Sequence, residues 1–85
     1  MNNRRLRLKL TLCRHMIASD DAGLASCEDD LFNDCRGAVA PAAGVHEIEA
    51  LLVELQQENR AIQIAGDVVR FAPTARGRAF VVENG

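Results

Sequence analysis

Three thiols and two imidazoles are the side chains best suited to chemistry in this chain: Cys13, Cys27, Cys35, His15 and His46. A nucleophilic centre needs a thiol or hydroxyl with a base in reach and a third group to orient that base. Cys13 and His15 stand two residues apart, which sends them to different sides of a helix, and neither Cys27 nor Cys35 has a histidine near it in sequence. A zinc site draws on ligand pairs at finger-like spacing, and no pair among these five has it. Asp29 and Asp30 stand where a helix begins and suit its positive end better than acid/base work. Gly37, Gly44 and Gly77 stand singly, so a phosphate loop is missing. With no Trp, no Tyr and three Phe, the chain lacks stacking platforms for single strands. The expectation is a protein that is not an enzyme, with no catalytic or metal-binding residues, no cofactor and no small-molecule ligand.

The cysteines carry a second message. Their number is odd and no C-x-x-C pair occurs, whereas a small secreted domain usually carries an even disulfide framework. Reduced thiols packed as small hydrophobes, in a cytoplasmic protein, are the expectation. No apolar run approaches the roughly 18 residues that span a bilayer. The basic start alternates Leu with Arg and Lys, unlike a secretory leader. A chain of 85 residues, 48% hydrophobic and 26% charged, makes one globular domain. Residues 1–5 are expected as a flexible basic start and 83–85 as a flexible tail. A domain this small buries a limited fraction of its surface, so a homodimer or a partner would add stability.

The net charge of −2 conceals segregation. Residues 1–15 hold Arg4, Arg5, Arg7, Lys9 and Arg14 and no acid, whereas residues 20–34 hold Asp20, Asp21, Glu28, Asp29, Asp30 and Asp34 and no base. Glu47, Glu49, Glu54 and Glu58 follow, and from Arg60 onward bases again outnumber acids.

The elements that would position these charges follow from periodicity. Leu6, Leu8, Leu10 and Leu12 alternate with polar residues as in a strand, yet Leu6, Leu10, Cys13 and Ile17, widened by Leu12 and Met16, also make a helical stripe. The pattern runs to Ile17 without a turn residue, which is long for a strand, so a helix ending near Ser19 is preferred. A shorter helix fits residues 26–36, with Ser26 as N-cap and acids in its first turn. Val45, Ile48, Leu51, Leu52 and Leu55 form one apolar face of a third helix, which Asn59 can end in a left-handed conformation. Ala61–Ile64 and Val68–Phe71 flank a Gly-containing turn as in a hairpin, with Pro73 as a stop. Thr74 then caps a last turn, or Ala79–Val82 returns as a strand.

Leu52-x-x-Leu55, Ile62, Gly66-Asp67, Val69 and Thr74-x-x-Gly77-Arg78 together resemble the recognition helix, wing and following turn of winged-helix regulators, closest to the MarR-like and PadR-like groups, over about residues 45–80. In those groups the Thr-x-x-Gly-Arg turn commonly begins another helix. The resemblance implies an α+β fold, a small winged helix-turn-helix of three helices plus a C-terminal β-hairpin. It also implies a DNA-binding transcription regulator with the third helix in the major groove of double-stranded DNA. Phosphate-contacting candidates are then Arg4, Arg5, Arg7 and Lys9 at the start, and Arg70, Arg76 and Arg78 around the wing. The outward face of the third helix would present His46, Glu47, Ala50, Val53, Glu54 and Gln57, which contains no base. Phosphate repels such a face. The alternative is a winged-helix module that binds a protein partner through that acidic face and does not bind DNA.

Overall fold

The computed structural model describes residues 3–85. The elements follow in the order α1 (Asn3–Asp21), β1 (Ser26–Cys27), α2 (Glu28–Cys35), a 3-10 turn (Arg36–Ala38), α3 (Val45–Gln57), β2 (Ala61–Ile64), β3 (Arg70–Pro73) and α4 (Ala75–Asn84). The fold is α+β: the described residues form four α-helices and one three-stranded antiparallel sheet in the order β1-β3-β2. Among the described residues no helix is long and apolar enough to cross a membrane.

The ambiguous first segment is a helix, and its packing shows which leucines decide the matter. Leu8, Leu12, Cys13 and Met16 are fully buried, while Leu6 is 40% exposed and Ile17 lies at the margin. The buried stripe is Leu8, Leu12 and Met16, at i, i+4 and i+8, widened by Leu10 and Cys13; of the expected stripe only Leu6 and Ile17, at its two ends, lie outside the core. Ile48, Leu51, Leu52 and Leu55 of α3, Leu31 and Cys35 of α2, Phe71 of β3 and Phe80 of α4 complete the same core. Truncating Leu8 or Leu12 to Ala would cost about 2–5 kcal/mol, a large share of the stability of so small a domain. Residues 3–5, expected to be flexible, form the first turn of α1, and Glu83 and Asn84 belong to α4; residues 1 and 2 of the expected flexible start lie outside the described residues.

Three local expectations change. Ser26 does not cap α2; it is a strand residue paired with Phe71, and Cys27 holds the N-cap position without a side-chain cap. A strand of two residues has no period to read, which is why β1 escapes the sequence. The helix expected over residues 26–36 spans Glu28–Cys35 and is followed by the 3-10 turn to Ala38. The second hairpin strand starts at Arg70 instead of Val68, because the register sets Ala61 opposite Pro73 and Ile64 opposite Arg70. Pro73 therefore ends β3 inside the ladder, where its missing N–H costs nothing if that position faces away from β2.

The hairpin base is tied to the helices on both sides. Asn59 takes a positive φ of 59° and turns the chain out of α3, with the Arg60 N–H donating to the Leu55 carbonyl at 2.8 Å. Thr74 donates its hydroxyl to the Asn59 carbonyl and accepts from the Gly77 N–H at 3.0 Å, so one side chain both caps α4 and pins it to the end of α3. Gly77 is buried so close to the Arg60 carbonyl that a β-carbon there would collide with backbone. Ala ordinarily favours a helix over Gly by about 1 kcal/mol. At this site the sign reverses: Gly77→Ala should destabilise by about 1–3 kcal/mol through overpacking. In thermal unfolding that is a fall in Tm of several degrees per kcal/mol for a domain of this size; an unchanged or raised Tm would show that α4 shifts freely.

Candidate interaction surface

Helix α3 divides its polar residues between two sides. Glu47, Glu54 and Glu58 lie at i, i+7 and i+11, one stripe along the flank that meets α1. Arg4 of α1 grips Glu47 with two parallel bonds, Nε to Oε2 at 2.8 Å and Nη2 to Oε1 at 2.8 Å, and its Nη1 donates to the Pro41 carbonyl. Arg5 pairs with Glu54. Lys9, whose side chain is only 12% exposed, places Nζ 3.1 Å from Glu54 and 2.9 Å from Glu58. Glu47 and Glu54, expected on the outward face, thus line the α1 contact, because a second helix packs where the sequence suggested solvent.

His46, Ala50, Val53 and Gln57, at i, i+4, i+7 and i+11, do face outward and are exposed. Glu49 joins them, 3.6 Å from the His46 ring. Beside this stripe lies a shallow pocket bounded by Glu49, Leu52, Val53 and Gln56 of α3, Glu28 of α2, and Gln63 and Phe71 of the sheet. A neighbouring depression is lined by Cys27, Glu28, Asp29, Val68 and Val69, and Glu28 belongs to both. Together they make a track of mixed polar and apolar surface from Val53, 51% exposed, to Val68 at the hairpin tip, 53% exposed. Its charged rim is acidic: Glu28, Asp29 and Glu49.

The seven expected phosphate contacts are dispersed and mostly engaged within the chain. Besides Arg4, Arg5 and Lys9, Arg78 of α4 pairs with Asp20 and Asp21 at the end of α1, at 2.8 and 2.9 Å. Both acids raise the pKa of its guanidinium further, Asp21 first. Arg70 donates to the Ala25 carbonyl at 2.8 Å. Arg7 and Arg76 make no ion pair among the described residues, and they stand on different helices, α1 and α4. Arg60, not among the candidates, lies over the Phe80 ring at 4.0 Å and pairs with Glu58.

One arrangement was invisible in the sequence. The His15 ring sits between the Ser26 hydroxyl, 2.9 Å from Nδ1, and the Asp34 carboxylate, 2.8 Å from Nε2. This hydroxyl–imidazole–carboxylate sequence looks like a proton relay, yet Ser26 is only 2% exposed, so its hydroxyl faces the protein and not a substrate. The triple straps α1 to β1 and α2. Among the described residues no group of three or more His, Cys, Asp or Glu side chains is placed to hold a metal ion.

Comparison of the chain with protein-family models, with curated proteins and with solved structures finds no match in any of the three.

Two measurements check this geometry. The hydrogen bond from Arg4 holds the Glu47 carboxyl below the usual carboxylate range. Its stabilising contribution is therefore present above the glutamate pKa of the unfolded chain and lost as pH falls through the lower, folded value. Glu47→Gln should be slightly less stable than the parent at neutral pH, with the gap closing in acid; a gap constant with pH would mean that the pair acts only by packing. Burial pushes the Cys13 and Cys35 thiols up to about 11, whereas Cys27 is only partly covered. In the native protein at neutral pH a maleimide should therefore label Cys27 first, with Cys13 and Cys35 reacting only on unfolding. Rapid labelling of all three would contradict the burial.

Proposed function

We propose that this chain is a winged-helix module that binds protein, using the α3–hairpin face to hold a basic, amphipathic segment of its partner. The element order supports the winged-helix part of this reading: helix, short strand, two helices, then a hairpin whose second strand returns beside the first strand. So does the cap at Thr74, which starts a helix where the resembled families have one.

The observation that carries the partner class is the destination of the charges. The bases that would clamp a phosphate backbone are spent on acids of the same chain at Arg4, Arg5, Lys9 and Arg78. Five acids have no ion pair among the described residues; two of them, Glu28 and Asp29, rim the track, Asp30, Asp67 and Glu83 do not line it, and Glu49 on the same rim has only the largely exposed His46 beside it. A DNA duplex brought to α3 would meet carboxylates at each of these positions and no base on the outward stripe. A segment with apolar side chains on one side and Lys or Arg on the other matches both parts of the track. Val53, Val68 and Val69, the exposed apolar residues along the track, would take its apolar side while the rim steers its approach.

The test is an anisotropy titration of the full chain against three labelled probes: a leucine–lysine helical peptide, its leucine–glutamate counterpart and a mixed-sequence duplex. The lysine peptide should bind, more weakly as salt rises, and the other two should not. Glu28→Lys with Glu49→Lys should weaken peptide binding by about tenfold or more, about 1.4 kcal/mol, with the circular dichroism spectrum unchanged. Binding of the duplex in place of the peptide, with a steep salt dependence that Arg76→Ala reduces, would reject this reading and favour a DNA-backbone clamp.

A further inference from the structure

Strand β2 is an edge strand, since the sheet order is β1-β3-β2 and no strand among the described residues pairs with its outer side. The register shows which backbone groups it offers. The Thr74 N–H donates to the Arg60 carbonyl at 3.2 Å, and the ladder sets Ile62 opposite Ala72 and Ile64 opposite Arg70. Antiparallel ladders alternate hydrogen-bonded and non-bonded pairs. Arg60, Ile62 and Ile64 therefore turn their N–H and C=O groups toward β3, whereas Ala61 and Gln63 turn theirs outward, away from the sheet. This phase also accounts for Pro73 inside β3: it lies opposite Ala61, in a pair that needs no N–H.

Exposed edges are normally blunted by charge, proline or a bulge. None of these protects β2. Its sequence from Ala61 to Gly66 has no charged residue and no proline, and Ile62 and Ile64 are 51% and 40% exposed. The two isoleucines share one face of the strand, opposite the face on which Gln63 meets α3 residues.

We propose that the β2 edge binds the β2 edge of a second copy of this chain, the two strands running antiparallel about a two-fold axis at Gln63 and joining two sheets into one. In this register each Gln63 exchanges both backbone hydrogen bonds with Gln63 of the second copy. Ile62 of one copy then stands opposite Ile64 of the other, in a non-bonded pair where side chains approach most closely. The four isoleucines close over one another on one face of the joined sheet. Charge selects this occupant. A two-fold contact sets like residues near like, so any charge within the strand would meet itself, and β2 carries none. At the flanks, Arg60 is turned back onto Phe80 and Glu58 of its own chain, and the antiparallel arrangement sets Asp67 of each copy near Asn59 of the other, so no like charges meet. The contact is short, so association falls in the micromolar-to-millimolar range of small interfaces. It leaves the α3 track uncovered and stands independently of the peptide-binding reading.

Sedimentation equilibrium of the full chain across that concentration range, together with amide exchange followed by NMR, tests the pairing. The mass should rise from monomer to dimer, and the Gln63 amide, outward and unprotected in the monomer, should exchange more slowly as the dimer fills. Ile62→Lys with Ile64→Lys sets four lysines together and should leave the chain monomeric. Ile62→Thr with Ile64→Thr keeps the β-branched side chains, safeguards the fold, and should weaken the dimer about tenfold or more, about 1.4 kcal/mol. Gln63→Pro removes an outward N–H while sparing the ladder to β3, and should likewise abolish dimerisation. A wild-type chain that stays monomeric throughout, or folded variants that dimerise as the parent does, would overturn the proposal.

Discussion

Helix α1 lies against almost everything else in the molecule, touching α2, α3, α4 and β3. The burial of Leu8, Leu12, Cys13 and Met16 is the constraint on which the remaining placements depend. Each neighbour brings a few apolar residues to that stripe and cannot bury them elsewhere: two short sequences, β1 and α2, are too small to form a core of their own. The sheet is likewise marginal alone, with one strand of two residues, and it holds because Phe71 and Ala72 of its central strand are covered. Polar contacts then refine the positions that the apolar stripe selects, as the His15 strap does for β1 and α2.

The ion pairs between α1 and α3 are best understood as alignment, not as a large source of stability. A partly exposed pair such as Arg5–Glu54 contributes at most about 1 kcal/mol. The spacing of the pairs matters more: bases at positions 4, 5 and 9 meet acids at 47, 54 and 58, so sliding either helix by a turn would leave charges unmatched. The same pairing settles the electrostatic character of the outside. Once the basic start has folded onto α3 and Arg78 has folded onto Asp20 and Asp21, the acids of α2 and of the outward side of α3 dominate one face.

The sequence made α3 and the turn after it legible because each carried a local signal, a 3.6-residue apolar period and an Asn suited to positive φ; a Thr three residues before a Gly fitted a capped turn, but three helices and a terminal hairpin were expected where the chain ends in a fourth helix. It also marked Ala50 and Val53 as surface residues, which they are. What it could not supply was any fact that depends on a second element. Glu47, Glu54, Glu49 and His46 look alike on an isolated helix, and only the packing of α1, some forty residues away, separates the paired acids from the outward ones. Four alternating leucines in α1 fitted a strand and a helix alike, and only the packing shows that Leu8, Leu10 and Leu12 are buried while Leu6 is not. Ser26 suits a cap and a strand equally well, and its partner Phe71 lies 45 positions later. Glu28, Gln63 and Phe71 join the candidate surface for the same reason: three separate segments meet there, and no segment alone announces it.

The clamp formed by Asn59, Thr74, Gly77 and Arg60 divides the hairpin into a fixed root and an unsupported tip. Residues 62–69 are all exposed, so the tip is a cantilever whose attachment is insensitive to its length. Insertions or deletions between Ala65 and Val69 change how far the hairpin reaches without disturbing the register at Ala61 and Pro73 or the start of α4. Over evolutionary time the tip can lengthen or shorten to suit a partner while the root, where a single methyl group at position 77 collides with backbone, stays as it is.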